Sequence, residues 1–178
     1  LDFVIPDKGE SLLKAYDRWR GWADPKVNCD YSLHCAVTSW NEDVKKEMAE
    51  IVNRGVSSFK VFLAYKGALM LNDSEFLKVL ERCKELGAVC MVHAENGDLL
   101  YEAQKKMVEL GITGPEAHYL SRPESFEAEA THKAITIGEF LNSPLYIVHV
   151  MSKDAADEVI RARNRGNILF GETLCAAL

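Results

Sequence analysis

Two histidines occupy matching places in the sequence, each directly after a short apolar run. His93 follows the run that opens AVCMVHAENGD (residues 88–98), and His149 follows the run in PLYIVHVMS (residues 144–152). Imidazole nitrogen is the commonest protein ligand of zinc, so two histidines at the ends of separate strands would form half of a metal site. Their spacing alone favours a plainer alternative, in which both rings only form hydrogen bonds at the ends of core strands.

A lysine stands inside a third apolar run. Lys60 lies between Phe59 and Val61 in SFKVFLAY (residues 58–65). Lysine is almost never fully buried unless it is paired, and with a normal pKa of about 10.4 its protonated amine cannot ligate a metal. Reaction of the neutral amine with carbon dioxide would give a carbamate, whose two oxygens can bridge two cations. From the residues alone, a lysine that reaches solvent or pairs with a carboxylate is the stronger interpretation.

Apolar runs and amphipathic stretches alternate along the chain, and this pattern predicts about six strands and six helices. The strands are predicted near residues 1–6, 30–37, 58–65, 88–96, 144–151 and 167–174, and the helices near residues 11–21, 41–55, 72–87, 98–111, 123–142 and 152–166. The segment GITGPEAHYLSR (residues 111–122) breaks this alternation, and we predict it to be a loop at the histidine end of the sheet.

Strict alternation of strands and helices predicts an α/β fold with a parallel sheet, either doubly wound or wrapped as a barrel. No glycine-rich GxGxxG or GxxxxGK[ST] loop follows a strand, which counts against a nucleotide-binding doubly wound sheet. Polar residues recur instead at the carboxyl ends of the strands, where (β/α)8 TIM-type barrels carry their active sites. A complete barrel needs about 250 residues, so we predict that residues 1–178 form a single, partial barrel domain.

Composition excludes some classes of partner. The chain has 27 acidic and 21 basic residues, and a formal charge of −6 gives no basic surface for nucleic acid or an anionic membrane. No run approaches the roughly 20 apolar residues of a membrane-spanning helix, and the N-terminus does not resemble a secretory signal. We therefore expect a cytoplasmic protein. Five cysteines without CxxC spacing are expected to be reduced thiols, mostly in the core.

Six motifs in a fixed order connect the chain to a known family. They are DYSLH (30–34), SFKVFLAYK (58–66), VHAENGD (92–98), GITGPE (111–116), SRPESFEAEA (121–130) and PLYIVHVMSK (144–153). Together they cover essentially the whole chain and closely resemble the dihydropyrimidinases, a family of cyclic amidohydrolases. The resemblance implies an amidohydrolase barrel with two zinc ions. It also implies hydrolytic ring opening of 5,6-dihydrouracil and dihydrothymine to N-carbamoyl-β-amino acids in pyrimidine catabolism, by an enzyme that is usually a homotetramer.

The same resemblance assigns roles to individual residues. Lys60 falls on the carboxylated lysine that bridges the two zinc ions, and His93 and His149 fall on metal ligands. Tyr65 falls on the tyrosine that binds substrate and stabilises the developing oxyanion. Two cations about 3.5–4 Å apart would lower the pKa of a shared water and polarise the scissile carbonyl.

Part of the family's metal site is missing from this sequence. The family also uses an HxH pair from the first strand and an aspartate from the last strand, which acts as ligand and general base. The 178 residues contain no HxH, and they begin without methionine inside a predicted strand. We therefore expect an internal fragment of a longer enzyme, with three of the six metal ligands and no activity in isolation.

Two alternative functions share most of these motifs. Dihydropyrimidinase-related proteins are non-enzymatic cytoskeletal and signalling scaffolds in which the lysine or a histidine is typically replaced, whereas this chain keeps all three residues. Hydantoinases and allantoinases share the ligands and differ in the substrate loops. The 111–130 stretch is closer to dihydropyrimidinases, so we expect a dihydropyrimidine ring as substrate.

The remaining polar candidates have smaller expected roles. Glu95 and Asn96 follow His93 directly and are expected to support the ligands from behind or to form the turn. For His34 the alternatives are support of the metal ligands from the end of its strand or a structural hydrogen bond, and the hydrogen bond is favoured. His118 and Arg122 lie in the predicted loop, near substrate or at a subunit contact, and His132 is expected at the surface.

Overall fold

The computed structural model describes residues 2–175, which form six strands and seven helices. The strands are β1 (Asp2–Val4), β2 (Leu33–Ala36), β3 (Ser58–Phe62), β4 (Val89–His93), β5 (Leu145–Ile147) and β6 (Leu169–Gly171). The helices are α1 (Leu12–Ala23), α2 (Glu42–Asn53), α3 (Asp73–Leu86), α4 (Gly97–Glu109), α5 (Glu116–Leu120), α6 (Glu124–Leu141) and α7 (Lys153–Asn164). Within the described residues, no helix is long and apolar enough to cross a membrane.

The prediction of a loop at residues 111–122 is wrong in part, because α5 occupies Glu116–Leu120. Pro115 has φ −56° and ψ −28°, which already suit a helix, and Glu116 lies in the first turn, where an acid is favourable. None of the five helical residues is buried. A helix without a buried face leaves no apolar periodicity in the sequence, and this is why the pattern did not reveal it.

The six strands form one parallel sheet in the order β1-β2-β3-β4-β5-β6. Crossovers between parallel strands are right-handed in nearly all proteins, so a consecutive order places every connecting helix on the same face of the sheet. A doubly wound sheet requires a reversal of strand order, and the described strands have none. The prediction of a barrel-type sheet is confirmed.

The two faces of this sheet differ in chemistry. Phe59, Val61 and Val92 are fully buried in the apolar core that the helices cover. The alternate positions face the other way, and the strand register places Lys60 beside Met91 and Phe62 beside His93. The opposite face of β3 and β4 therefore carries Lys60 and His93, away from the helices.

Helix caps fix the turns that follow the two histidine strands. Asn96 is the N-cap of α4 and accepts a hydrogen bond from the backbone N–H of Leu99 at 3.1 Å. Ser152 is the N-cap of α7 and accepts one from the N–H of Ala155 at 3.2 Å. Each cap satisfies a backbone donor that the first helical turn leaves free. The chain therefore turns sharply within three residues of each histidine.

The cysteines are free thiols in two environments. Cys35, Cys83 and Cys90 are buried, whereas Cys29 and Cys175 are exposed. Burial raises the pKa of Cys35 to about 12, so this thiol stays protonated and behaves as a small apolar side chain. These three residues confirm the prediction that most of the cysteines lie in the core.

Candidate active site

His93 and His149 face each other at the carboxyl ends of neighbouring strands. His93 is the last residue of β4, and His149 lies two residues beyond β5. Nδ1 of His93 is 3.0 Å from Nε2 of His149, and the ring planes meet at 68°. With Zn–N bonds of about 2.0–2.1 Å, two nitrogens on one tetrahedral zinc lie about 3.3 Å apart. The two imidazoles thus already have nearly the separation of two ligands of one cation.

His149 is held in a conformation that most residues avoid. Its φ of 41° lies in the left-handed region, so the strand predicted through residue 151 ends at Ile147 and turns. Burial, together with the charges of His93 and Lys60, lowers the pKa of His149 from 6.5 to about 4. The imidazole is therefore neutral near pH 7, as a metal ligand must be.

Glu95 determines which nitrogen of His93 carries the proton. Its Oε2 lies 2.8 Å from His93 Nε2, and its Oε1 lies 3.2 Å from Nε of Arg122. Burial raises the pKa of Glu95, but the hydrogen bond from His93 and the charges of His93 and Arg122 outweigh burial and lower it. An ionised carboxylate only accepts hydrogen bonds, so Nε2 of His93 donates and the Nδ1 lone pair faces His149.

Lys60 is buried without an ion-pair or hydrogen-bond partner among residues 2–175. It is 5% exposed, and its side chain forms no hydrogen bond or salt bridge with the described residues. Its Nζ lies 4.4 Å from the ring centre of Phe62 and 5.3 Å from that of Phe3. Burial lowers the pKa of Lys60 to about 8, opposed by the charge of Glu172. A substantial fraction of the amine is therefore neutral at mildly alkaline pH, as reaction with carbon dioxide requires.

Tyr65 lies beside His93, three residues beyond the end of β3. Its ring centre is 5.0 Å from that of His93, and the residue is 41% exposed. Its φ of 65° is left-handed, and its carbonyl accepts hydrogen bonds from Ala68 and Leu69 at 3.0 and 3.1 Å. This tight turn places the phenol beside His93 on the solvent side.

The minor candidates mostly have structural contacts. His34 Nδ1 is 2.5 Å from Ser58 Oγ, and burial lowers the pKa of this imidazole. Asn96 caps α4 and also donates from Nδ2 to Glu129 Oε2 at 2.7 Å. His132 is exposed, with Nδ1 3.0 Å from a carboxylate oxygen of Glu158.

Arg122 and His118 differ in how directly they contact the site. Arg122 reaches Glu95 and so contacts the group behind His93, a possibility that the sequence did not raise. His118 lies 3.3 Å from the guanidinium of Arg122 through its Nδ1. His118, which lies in α5, therefore contacts Arg122, and Arg122 in turn contacts Glu95 beside His93.

Sequence reasoning missed Glu172, which directly follows β6. Its carboxylate accepts a hydrogen bond from the Tyr146 hydroxyl at 2.7 Å. Its negative charge raises the pKa values of Lys60, His149 and His34, against the effect of burial. The available signal was position, since Glu172 stands after its strand as the histidines stand after theirs.

The side chains of His93, His149 and Lys60 can be compared with the donor atoms that zinc prefers. Within residues 2–175, no three His, Cys, Asp or Glu side chains come together in a way that would hold a metal ion. His93 Nδ1 and His149 Nε2 offer two neutral nitrogens, and a carbamate on Lys60 would add oxygens. The two nitrogens fit zinc in atom type and spacing, and carbamate oxygens would fit it in atom type.

Comparison with curated proteins finds dihydropyrimidinases. The chain is 57% identical over 179 residues to the dihydropyrimidinase of Dictyostelium discoideum, covering 100% of this chain and 36% of that protein. It is 55% identical to the dihydropyrimidinase of Rattus norvegicus, covering 100% and 34%. It is also 49% identical over 174 residues to dihydropyrimidinase-related protein 5 of Homo sapiens, covering 97% and 31%. The chain thus spans about a third of the length of these relatives. No family model matches it.

Solved structures of the same group share the fold. The D-hydantoinase of Bacillus sp. AR9 superposes with a TM-score of 0.96 at 38% identity, over 99% of this chain and 39% of that one. The dihydropyrimidinase of Brevibacillus agri NCHU1002 superposes with a TM-score of 0.93 at 42% identity, over 96% and 37%. The parallel sheet is therefore part of an amidohydrolase TIM-type barrel. By sequence and by fold, the chain therefore corresponds to one part of the dihydropyrimidinases and hydantoinases.

Proposed function

We propose that the protein containing this chain is a dihydropyrimidinase, which hydrolyses the ring amide of dihydrouracil and dihydrothymine to N-carbamoyl-β-amino acids. One observation carries the proposal: nitrogens of His93 and His149 face each other, and His93 shares one face of the sheet with the buried Lys60, which forms no ion pair with the described residues. The 57% identity to a dihydropyrimidinase selects the reaction among those that such a site can perform.

The family is metal-dependent. The proposed ligand atoms are the histidine nitrogens that face each other in the structure. His93 would bind through Nδ1 and His149 through Nε2. Lys60, as a carbamate, would bridge two zinc ions. The metal would supply an activated water near neutral pH and polarise the substrate carbonyl.

The protein's own residues would prepare this site in three ways. Glu95 holds the proton of His93 on Nε2 and leaves Nδ1 free to bind. The apolar surroundings of Lys60 keep part of its amine neutral for carboxylation. The exposed phenol of Tyr65 would donate a hydrogen bond to the oxyanion that develops on the substrate carbonyl.

Two other functions compete with this proposal. A non-enzymatic scaffold is suggested by the 49% identity to dihydropyrimidinase-related protein 5, but retention of Lys60, His93 and His149 favours an enzyme. A hydantoinase is suggested by the TM-score of 0.96 to a D-hydantoinase. We also propose a homotetramer, on the family resemblance alone.

The deciding experiment is substrate turnover by the full-length protein loaded with zinc. We expect hydrolysis of dihydrouracil to exceed that of hydantoin and allantoin, together with zinc bound in the protein. Exclusive turnover of allantoin would contradict the substrate assignment. Absence of both zinc and turnover would favour the scaffold.

A further inference from the structure

The start of α6 contacts the loops of both histidines. We call residues 122–129 the clamp segment. On the His93 side, its contacts are the Arg122 Nε to Glu95 Oε1 pair at 3.2 Å, the Phe126 carbonyl accepting from Asn96 N–H at 3.1 Å, and Glu129 Oε2 accepting from Asn96 Nδ2 at 2.7 Å. On the His149 side, Glu127 accepts from the backbone N–H groups of Met151 and Ser152 at 2.8 and 2.7 Å.

Glu127 forms two of these contacts with a single side chain. Each of its carboxylate oxygens accepts one backbone hydrogen bond, and hydrogen bonds to an ionised group are shorter and stronger than neutral ones. The donors lie at the N-terminus of α7, where backbone N–H groups are free and a negative charge is favourable. The carboxylate therefore fixes the backbone two and three residues beyond His149.

The chain around His149 is anchored on both sides of a strained residue. The N–H groups of Val148 and Val150 donate to the carbonyls of Val92 and Glu172 at 3.2 and 2.7 Å. Between these anchors, His149 has a φ of 41°, in a region that residues other than glycine adopt uncommonly. Without Glu127, Met151 and Ser152 would lose these two backbone hydrogen bonds to α6.

We propose that Glu127 is a positioning residue, which holds the loop beyond β5 so that Nε2 of His149 faces Nδ1 of His93. Its effect on metal binding rests on the proposed function, since it acts through His149 as a ligand. Its effect on the position of His149 does not depend on the metal. Arg122 and Glu129, in the same segment, hold the other histidine loop.

The test compares Glu127→Gln with Glu124→Gln in the full-length protein. Glutamine keeps the shape of the side chain but presents one N–H₂ donor to a backbone donor, so at least one hydrogen bond is lost. Glu124 lies in the same turn, is exposed and forms no hydrogen bond with the described residues, so its variant controls for charge. Glu127→Asp keeps the charge with a shorter reach and is expected to fall between them.

Two readouts are needed. The first is zinc affinity, measured by competition with a chelator and expressed per folded protein by circular dichroism. Groups behind metal ligands typically contribute a factor of about 10 to 100 in affinity, and we expect a loss of this size in Glu127→Gln with none in Glu124→Gln. The second is the crystal structure of each metal-free variant, in which we expect His149 to leave the left-handed region only when Glu127 is changed.

The readouts separate failure of this proposal from failure of the proposed function. If the unmodified protein binds no zinc, the proposed function is wrong, and the metal-free structures still decide whether Glu127 positions His149. An unmoved His149 in Glu127→Gln overturns the proposal, whatever happens to affinity. A moved His149 with unchanged affinity in a zinc-binding protein also overturns it.

Discussion

Lys60 and His149 are two bases whose pKa values fall because their side chains are buried. The pKa of Lys60 falls to about 8 and that of His149 to about 4. Both groups are thus shifted toward the neutral forms that react with carbon dioxide or bind a metal. The positive charge of Lys60 further lowers the pKa of His149, so carboxylation of Lys60 would replace a repulsive neighbour with an attractive one.

The role of Lys60 is tested by Lys60→Ala in the full-length protein. We expect loss of zinc and a fall in turnover by more than about 100-fold, since even residues behind metal ligands contribute about 10- to 100-fold. A short-chain carboxylic acid, which can occupy the place of the carbamate, is expected to restore part of both. Zinc content and turnover are the measurements, with Lys105→Ala as an exposed control. Full zinc and full rate in Lys60→Ala would remove the bridging role.

The lowered pKa of His149 predicts how stability depends on pH. Because the folded protein holds this imidazole neutral down to about 4 while the unfolded chain binds a proton near 6.5, unfolding takes up a proton between these values. Stability from this group is therefore complete above pH 6.5 and is lost as pH falls toward 4. Because the side chain is only partly buried, solvent screening reduces this loss to about 1–2 kcal/mol.

Urea unfolding of the metal-free, full-length protein between pH 7 and 4 measures this dependence. In His149→Asn the extra loss below pH 6.5 should disappear, whereas His132→Asn, at an exposed site, should retain it. Equal slopes in the His149 variant and the unmodified protein would show that burial does not hold this imidazole neutral.

At the scale of elements, Gly97 shows how helix packing controls a site residue. A Cβ added at Gly97 would lie 2.7 Å from both the Cα of Ala64 and the carbonyl oxygen of Leu63. Both contacts are with backbone, which cannot rotate away. The first residue of α4 thus packs directly on the chain that leads to Tyr65, and only glycine allows this approach.

We predict that Gly97→Ala destabilises the full-length protein by about 2 kcal/mol, in the range of overpacked sites. It should also lower kcat, because Ala64 immediately precedes Tyr65. Gly138→Ala is the matched control: its Cβ would meet nothing closer than 3.6 Å, inside α6. That change should stabilise the protein by about 0.5–1 kcal/mol. Urea unfolding and steady-state kinetics give both values, and equal behaviour of the two variants would contradict the packing argument.

Element signals in the sequence were strong where a helix buries an apolar face. Asn72 and Glu75 have the sequence spacing of a capping box and form one at the start of α3, and Gly87 ends this helix with a left-handed φ of 65°. By contrast, α5 buries nothing and left no such pattern. The turn at His149 was also missed, because its strained φ is maintained by contacts with β4, β6 and α6 that are distant in sequence.

At the scale of the whole molecule, the parallel sheet explains how much of the site could be predicted. The carboxyl ends of parallel strands meet at one edge of the sheet. Once the strands are predicted from the sequence, the convergence of His93 and His149 is therefore predicted as well. The contacts that orient them were not predictable in the same way. Glu127 reaches Met151 across 24 residues and Glu172 acts on Lys60 through space, and neither relation has a local pattern.

The distribution of ligands leads to a final prediction about the 178-residue polypeptide alone. It contains no HxH sequence, and within residues 2–175 no three His, Cys, Asp or Glu side chains form a metal cluster. Two imidazoles and one lysine leave a tetrahedral cation short of ligands, so affinity should be weak. We expect zinc to be lost on dialysis and dihydrouracil hydrolysis to remain at background, while the full-length protein retains both. Metal analysis and turnover, with folding checked by circular dichroism, make the comparison. Stoichiometric zinc and turnover by the folded 178-residue chain would show that its own residues complete the site.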